Sequence, residues 1–255
     1  MAEHDNWDAH WDNYAAAASR NPAQQMRHAL IARLLTGERD AGPRKILDLG
    51  SGQGDLLEKL HARLPTAQLL GFELSARGVE ISRAKVPEGI FLVADLFQPP
   101  PELAGYRGWA THAVCSEVLE HVDSPVDFLR AASPSLAEGA RLIVTVPGGP
   151  MSAFDRHIGH RQHFTRESIG RVLSDAGFDV ERVYLSGFPF FNLYRCVVIA
   201  RGEKLAADVD RGGRGWSRAL ADATMAAFRG LFRMNLTDSP FGWQVLAVAR
   251  KRGAG

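Results

Sequence analysis

A chain of 255 residues, 45% hydrophobic and 23% charged, has the make-up of one globular α/β domain with insertions and enough length to bury a large core. Its formal net charge of +1 excludes a generally basic nucleic-acid binder, so no nucleic-acid partner is expected. Two cysteines, Cys115 and Cys196, exclude a disulfide framework, and a polar acidic start (MAEHDNWDAHW) without an apolar signal or membrane-spanning run leads to a cytoplasmic expectation.

Residues 1–44 read as a helical segment. Trp7, Trp11 and Tyr14 recur at helical spacing, and Leu30, Ile31, Leu34 and Leu35 form a stripe after Pro22. Gly37 and Gly42-Pro43 close that segment. From Lys45 the pattern changes to short apolar runs, at Ile46–Leu49, Leu69–Phe72, Ile90–Val93, Ala113–Cys115 and Leu142–Val146. Amphipathic stretches separate them, including Leu56–Leu64, Val79–Ala84 and Pro125–Leu136. Such alternation predicts βαβ crossovers and a doubly wound parallel sheet, which binds ligands beyond the carboxyl ends of its strands. Thr165 to Gly177 reads as a further helix, with Thr165 as N-cap and Gly177 as the stop. Val180–Leu185 and Val245–Ala249 read as two more strands. The connection between them, residues 188–240, is far too long for an ordinary loop and is expected to form a cap. The expected organisation is thus 1–44 helical, 45–187 core, 188–240 cap, and 241–255 last strand and tail.

The first apolar run enters Asp48-Leu-Gly50-Ser51-Gly52-Gln-Gly54-Asp55, a turn with glycine at every second position before a helix. Glycine accepts positive φ there and lets the backbone approach a ligand closely. A nicotinamide fingerprint would place its third glycine where Asp55 stands, and a pyrophosphate would meet Asp48 and Asp55. S-adenosylmethionine has no phosphate, and its sulfonium and ammonium suit those acids. Glu73 ends the second run, where an acid can accept both ribose hydroxyls. Asp95 ends the third, where a carboxylate can accept from the adenine amino group.

The segments ILDLGSGQGD, GFELS, VADL, CSEVLEHV and ARLIVTVPGG resemble successive motifs of the class I S-adenosylmethionine-dependent methyltransferases. The resemblance covers Lys45 to about Gly187 and, by strand pattern, Trp243 to Arg250. It implies an α/β, mostly parallel seven-stranded sheet, Rossmann-like, with an antiparallel last strand. It also implies that Asp48, Gly50, Ser51, Gly52 and Gly54 line the methionine and ribose end of the cofactor and that Glu73 takes the ribose. By the same resemblance Leu74 flanks the adenine, Asp95 and Leu96 contact the base, and Ser116 lies beneath the cofactor.

After the fourth run comes Ser116-Glu117-Val-Leu-Glu120-His121. In a helical turn Glu117, Glu120 and His121 would share a face. A second cluster, Asp155-Arg-His157-Ile-Gly-His160-Arg-Gln-His163-Phe-Thr165, follows the fifth run. Three readings stand together: ordinary hydrogen bonding; a general base at His121 or His160 beside Glu117; or a divalent metal (Mg, Zn or Fe) on Glu117, Glu120, His121 and His160. EVLEH resembles the metal motif of ubiquinone-biosynthesis O-methyltransferases and of small-RNA 2′-O-methyltransferases. The cap carries Phe188, Phe190, Phe191, Tyr194 and a predicted helix from Arg214 to Arg233, with Trp216, Leu220, Phe228, Leu231 and Phe232 on one stripe. Eight Lys/Arg stand against four Asp/Glu from Arg195 to Arg233, which suits a lid over a small hydrophobic or anionic acceptor, or contact with a membrane surface. The expected activity is methyl transfer to an acceptor oxygen. Transfer to nitrogen or carbon, a nicotinamide-dependent oxidoreductase and a catalytically silent binding module are the alternatives.

Overall fold

The computed structural model describes residues 7–37, 44–210 and 216–253; side chains of residues 9–10, 13–17, 202–210 and 216–222 are outside that description. Seven strands form one sheet: β1 (Lys45–Leu49), β2 (Gln68–Glu73), β3 (Ile90–Val93), β4 (Ala110–Ser116), β5 (Leu136–Pro147), β6 (Phe178–Ser186) and β7 (Gln244–Lys251). Their order is β3-β2-β1-β4-β5-β7-β6. Pairing is parallel from β3 through β5, and β7 runs antiparallel between β5 and β6. The doubly wound sheet and the antiparallel last strand are therefore present.

Strand side chains alternate between two covered faces. Ile46, Val114, Ile143 and Val248 pack on one face against Ile31 and Leu35 of α2 (Pro22–Thr36), Leu57 and Leu60 of α3 (Asp55–Arg63), and Val79 of α4 (Ala76–Lys85). Leu47, Cys115, Val144 and Ala247 pack on the other against Leu129 of α5 (Pro125–Ala132) and Ile169 and Leu173 of α7 (Arg166–Asp175). Thr165 caps α7, its side chain accepting from Ser168 N, and Gly177 follows at φ 94°. The helix expected to reach Leu136 stops at Ala132. Pro134 sits in a 3-10 turn, Ser133–Ser135, and Leu136 already opens β5.

Before the core lie α1 (Trp7–Arg20) and α2, while α6 (Ala153–His157) is a short helix after β5. The 188–240 insertion holds α8 (Phe190–Asp210), which the sequence pattern did not announce, and α9 (Trp216–Leu231). The run Cys-Val-Val-Ile in α8 is a weak helix former on propensity, so tertiary packing decides its conformation. Ala23 of α2, Phe191 of α8, and Phe228 and Phe232 form one apolar cluster. The N-terminal helices and the insertion are thus joined by a shared core. Gly42-Pro43 and the side chains of Tyr14, Trp216 and Leu220 lie outside the described residues. No helix among the described residues is long and apolar enough to cross a membrane.

Candidate functional site

The glycine turn leaves β1 with Gly50, Gly52 and Gly54 all at positive φ (75°, 55° and 80°). A Cβ on Gly50 would come within 2.5 Å of Val118, so the loop after β4 crosses directly over the turn. Glu73, at the end of β2, is buried and accepts from Gly52 N at 2.8 Å and Ser75 N at 3.0 Å. Burial pushes its carboxyl up, opposed by these backbone bonds and by the Trp11 indole. Asp48 lies on β1 beneath the turn, its carboxyl pushed up to about 7 by burial and then by the charge of Glu73. Ala94 N donates to Glu73 O at 2.8 Å, which brings Asp95 and buried Leu96 beside the end of β2. Asp95 accepts from Phe97 N, and Leu74 is exposed at 37%. Ser116 shares a 2.8 Å hydroxyl–hydroxyl bond with Thr145.

This end fits a cationic nucleoside. Two backbone N–H groups use part of the acceptor capacity of Glu73, leaving lone pairs for a ribose diol. A buried acid at Asp48 stands where a cationic amino-acid portion gains from it. Two expectations change. The Ser51 hydroxyl turns toward Gly71 in the sheet, so only its backbone is available to the turn. Asp55, read as a neighbour for the cofactor's positive groups, instead binds Ser19, Gln24, Gln53 and Lys85, and so ties the N-terminal helices to the core.

The helical face proposed for Glu117, Glu120 and His121 does not form. Glu117 has φ 56°, and only Leu119–His121 makes a 3-10 turn. Glu117 is turned toward Gln244 Nε2 (3.0 Å), Thr145 Oγ1 (3.2 Å) and Arg27 (3.6 Å). Glu120, His121 and His160 do converge, each offering a ligand atom within 4.8 Å of the others, and Glu117 is outside that set. Glu120 is fully buried, and among the described residues neither carboxylate oxygen has a hydrogen-bond partner. Burial, then the charge of Glu117, holds its carboxyl well above the usual range. The His160 imidazole is pushed down to about 3 by burial and by neighbouring His121, and is therefore neutral.

His160 also meets His163 at 3.2 Å, and His157 is exposed on α6. Asp155 lies near both His160 and His163, yet its carboxylate caps α6 and is forked by Arg195 of α8 at 2.9 and 2.8 Å. Tyr194 packs edge-on against Phe228 and Phe232, so the aromatic stripe of the insertion belongs to the core it shares with α2. A cavity of about 590 Å³ opens between Gly148, the start of α7 and the loop before β7. None of the candidate residues lines it.

Sequence reading missed the contribution of the N-terminal helices. Trp11 lies on Gly52 and Gly78, where added Cβ atoms would meet its ring at 2.7 and 3.1 Å. Trp7 packs edge-on to His121, with ring centroids 5.1 Å apart. Asp8 accepts from Ser75 Oγ and Arg77 N, and Arg27 enters from α2. The i, i+4 spacing of Trp7 and Trp11 signals a shared helix face but names nothing opposite it.

Residues 18–183 match a family model described as a methyltransferase domain. The trans-aconitate 2-methyltransferase of Streptomyces coelicolor is 27% identical, over 93% of this chain and 88% of its own. The ubiquinone biosynthesis O-methyltransferase of Xanthomonas oryzae pv. oryzae is 32% identical over 56% of this chain, and the match spans 62% of that relative. Among solved structures, magnesium protoporphyrin IX methyltransferase from Synechocystis PCC 6803 superposes with a TM-score of 0.54 at 17% identity, over 89% of this chain and 82% of that one. The geranyl diphosphate C-methyltransferase of Streptomyces coelicolor does so with 0.54 at 18%, over 88% and 76%, which shows a shared fold. With the family model covering the glycine turn, Glu73 and the loop after β4, the chain belongs to the methyltransferase family and is a class I S-adenosylmethionine-dependent methyltransferase.

Proposed function

We propose that the protein transfers the methyl group of S-adenosylmethionine to an oxygen of a small-molecule acceptor held between the loop after β4 and the 188–240 insertion. The observation that carries this reading is Glu120, a buried carboxyl without a hydrogen-bond partner among the described residues, beside the His121 and His160 imidazoles. Buried polar groups are almost always satisfied, and an unsatisfied one beside two imidazoles marks a place for a ligand. Two relatives support the acceptor class, one named for trans-aconitate and the other an O-methyltransferase of ubiquinone biosynthesis.

In this reading Asp48 and the backbone of Gly50 to Gly54 hold the methionine and ribose end. Glu73 takes the ribose diol, Leu74 and Leu96 flank the adenine, Asp95 accepts from its amino group, and Ser116 lies beneath. The acceptor oxygen attacks the methyl carbon, the carbon–sulfur bond breaks, and the sulfur keeps its electron pair as S-adenosylhomocysteine leaves. Holding the two reactants in line supplies up to about 7–11 kcal/mol. His121 takes the hydroxyl proton, a general-base contribution of roughly 10²–10⁴-fold. His160, whose conjugate acid forms only at much lower pH, positions His121 edge-on at 4.8 Å between ring centroids.

Glu120, His121 and His160 also make a donor set for a divalent ion, and the convergence of their ligand atoms favours weighing it. One carboxylate and two imidazoles suit zinc or iron better than magnesium. When bound, such an ion would lower the pKa of the acceptor hydroxyl. Chelation separates the two chemistries. A general base predicts full turnover after exhaustive chelation, with His121→Ala inactive and still binding S-adenosylmethionine. Loss on chelation, rescue by added zinc or iron and a matching loss in Glu120→Ala would replace the base with the ion. Unchanged turnover in His121→Ala without chelator would remove both.

A further inference from the structure

We propose that Arg27, with the Tyr194 hydroxyl, anchors an anionic group, a carboxylate in the first instance, on the methyl acceptor. This inference rests on the methyltransferase reading above and names the acceptor's chemical class. Arg27 enters from α2 with its side chain 15% exposed, and Nη1 stands 3.6 Å from Glu117 Oε2, beyond hydrogen-bond reach. Its Nε is buried and has no hydrogen-bond partner among the described residues. A guanidinium offers five donors in a fixed fork that matches a carboxylate. Leaving such a donor unfilled in the interior is costly, and a ligand that fills it recovers that loss.

The neighbours show which charges are already committed. Glu117 Oε1 accepts from Gln244 and Thr145, and Oε2 pairs with Arg27 Nη1 at ion-pair distance, which leaves the Nε side of the guanidinium for another anion. Arg195 is the other guanidinium whose field reaches Tyr194, and both its Nη atoms are held by Asp155. Arg27 meets Glu117 of the loop after β4, and its neighbour Met26 on α2 packs in the same apolar cluster as Tyr194, so α2 carries Arg27 between that loop and the insertion. Tyr194 is enclosed by Phe228 and Phe232 through its ring, while no residue among those described hydrogen-bonds its hydroxyl. The unpartnered Arg27 Nε and the Tyr194 hydroxyl are thus brought from α2 and α8 to the same end of the molecule as the loop that carries Glu120. A carboxylate entering there accepts hydrogen bonds from Arg27 Nε and Nη and from the Tyr194 hydroxyl, and the rest of the acceptor extends toward His121. The alternative, in which Arg27 serves only as a counter-charge for Glu117, leaves Nε unexplained.

The test uses full-length protein saturated with S-adenosylhomocysteine and paired probes that differ by a carboxylate, catechol against 3,4-dihydroxybenzoate, with trans-aconitate as an aliphatic carboxylate. Calorimetry is expected to show at least one carboxylate probe binding about tenfold or more tightly than catechol, as one charge-assisted bidentate contact gives. Arg27→Gln removes that preference and leaves S-adenosylhomocysteine affinity within about twofold, since the ion-pair partner of Arg27 is Glu117 on the loop after β4 and not a residue of the glycine turn. Arg27→Lys, which keeps the charge without the fork, retains part of the preference and serves if Arg27→Gln does not fold. Tyr194→Phe weakens carboxylate probes several-fold and catechol little. No preference in the wild type, or a preference that survives Arg27→Gln, overturns the assignment. A wild type that fails to bind S-adenosylhomocysteine would instead strike the methyltransferase reading itself.

Discussion

Two acids at the cofactor end are perturbed by burial, and each carries a measurable consequence. Glu73 serves Gly52 N, Ser75 N and, in the proposed complex, the ribose diol. Glu73→Ala is expected to weaken S-adenosylmethionine binding by about 1–3 kcal/mol, the range for a lost hydrogen bond to a charged group. It also lowers the melting temperature, because two buried N–H groups lose their acceptor. Unchanged affinity by calorimetry would show that the ribose lies elsewhere. Asp48 titrates at about 7 in the folded protein against 3.8 as a free side chain, because its charged form is poorly solvated. Between those values the folded state holds a proton that the unfolded chain has released. Stability contributed by this group is present below pH 3.8 and declines as pH rises toward about 7. Melting curves of wild type and Asp48→Asn across that interval should diverge, with the variant flatter. Parallel curves would mean that Asp48 ionises normally.

Helices from separate parts of the chain close the proposed acceptor end, and the Asp155–Arg195 pair joins two of them. Asp155 caps α6 while Arg195 comes from α8, and the pair is almost wholly buried. The Arg195 fork and the Ser152 bonds hold Asp155 well below the usual carboxylate range even though burial alone would raise it. Arg195→Met leaves an uncompensated carboxylate, for which about 3–5 kcal/mol of stability is expected to be lost in urea unfolding. Pairing it with Asp155→Asn should recover much of that loss, since no buried charge then remains. A single variant as stable as wild type would show that α8 does not rely on this contact. At the same scale, sequence patterning located α7 by its Thr165 cap and α9 by its aromatic stripe, yet overlooked α8. Its Phe191 and Tyr194 pack with Ala23 and Met26 of α2 and Phe228 of α9, and periodicity in a single segment carries no record of such partners.

At the scale of the whole molecule, the two faces of the sheet and the shared cluster of α2, α8 and α9 make cofactor binding and folding linked equilibria. A ligand at one hundred times its dissociation constant stabilises the native state by about 2.7 kcal/mol. S-adenosylmethionine or S-adenosylhomocysteine should therefore raise the melting temperature in a concentration-dependent manner, while NAD should leave it unchanged. The outcome follows from the turn chemistry, because Asp48 beneath the turn opposes a pyrophosphate and favours a cation. Stabilisation by NAD with none from S-adenosylmethionine would contradict the assignment.

The sequence by itself determined the strands, the glycine turn, and the acids at Glu73 and Asp95, because these depend on local periodicity and on residues that end each strand in order. It also determined that Glu120, His121 and His160 belong to one end of the sheet, since both loops follow neighbouring parallel strands. Only the tertiary structure decided that Glu117 turns away toward Gln244, a residue on β7 far along the chain. Only it decided that Trp7 and Trp11 lie over His121 and Gly52, and that Arg27 reaches Glu117 with its Nε unpartnered among the described residues. Those contacts join N-terminal helices to loops of the core, and a side chain's hydrogen-bond partners across such distances are set by packing geometry, which residue spacing along one segment does not encode.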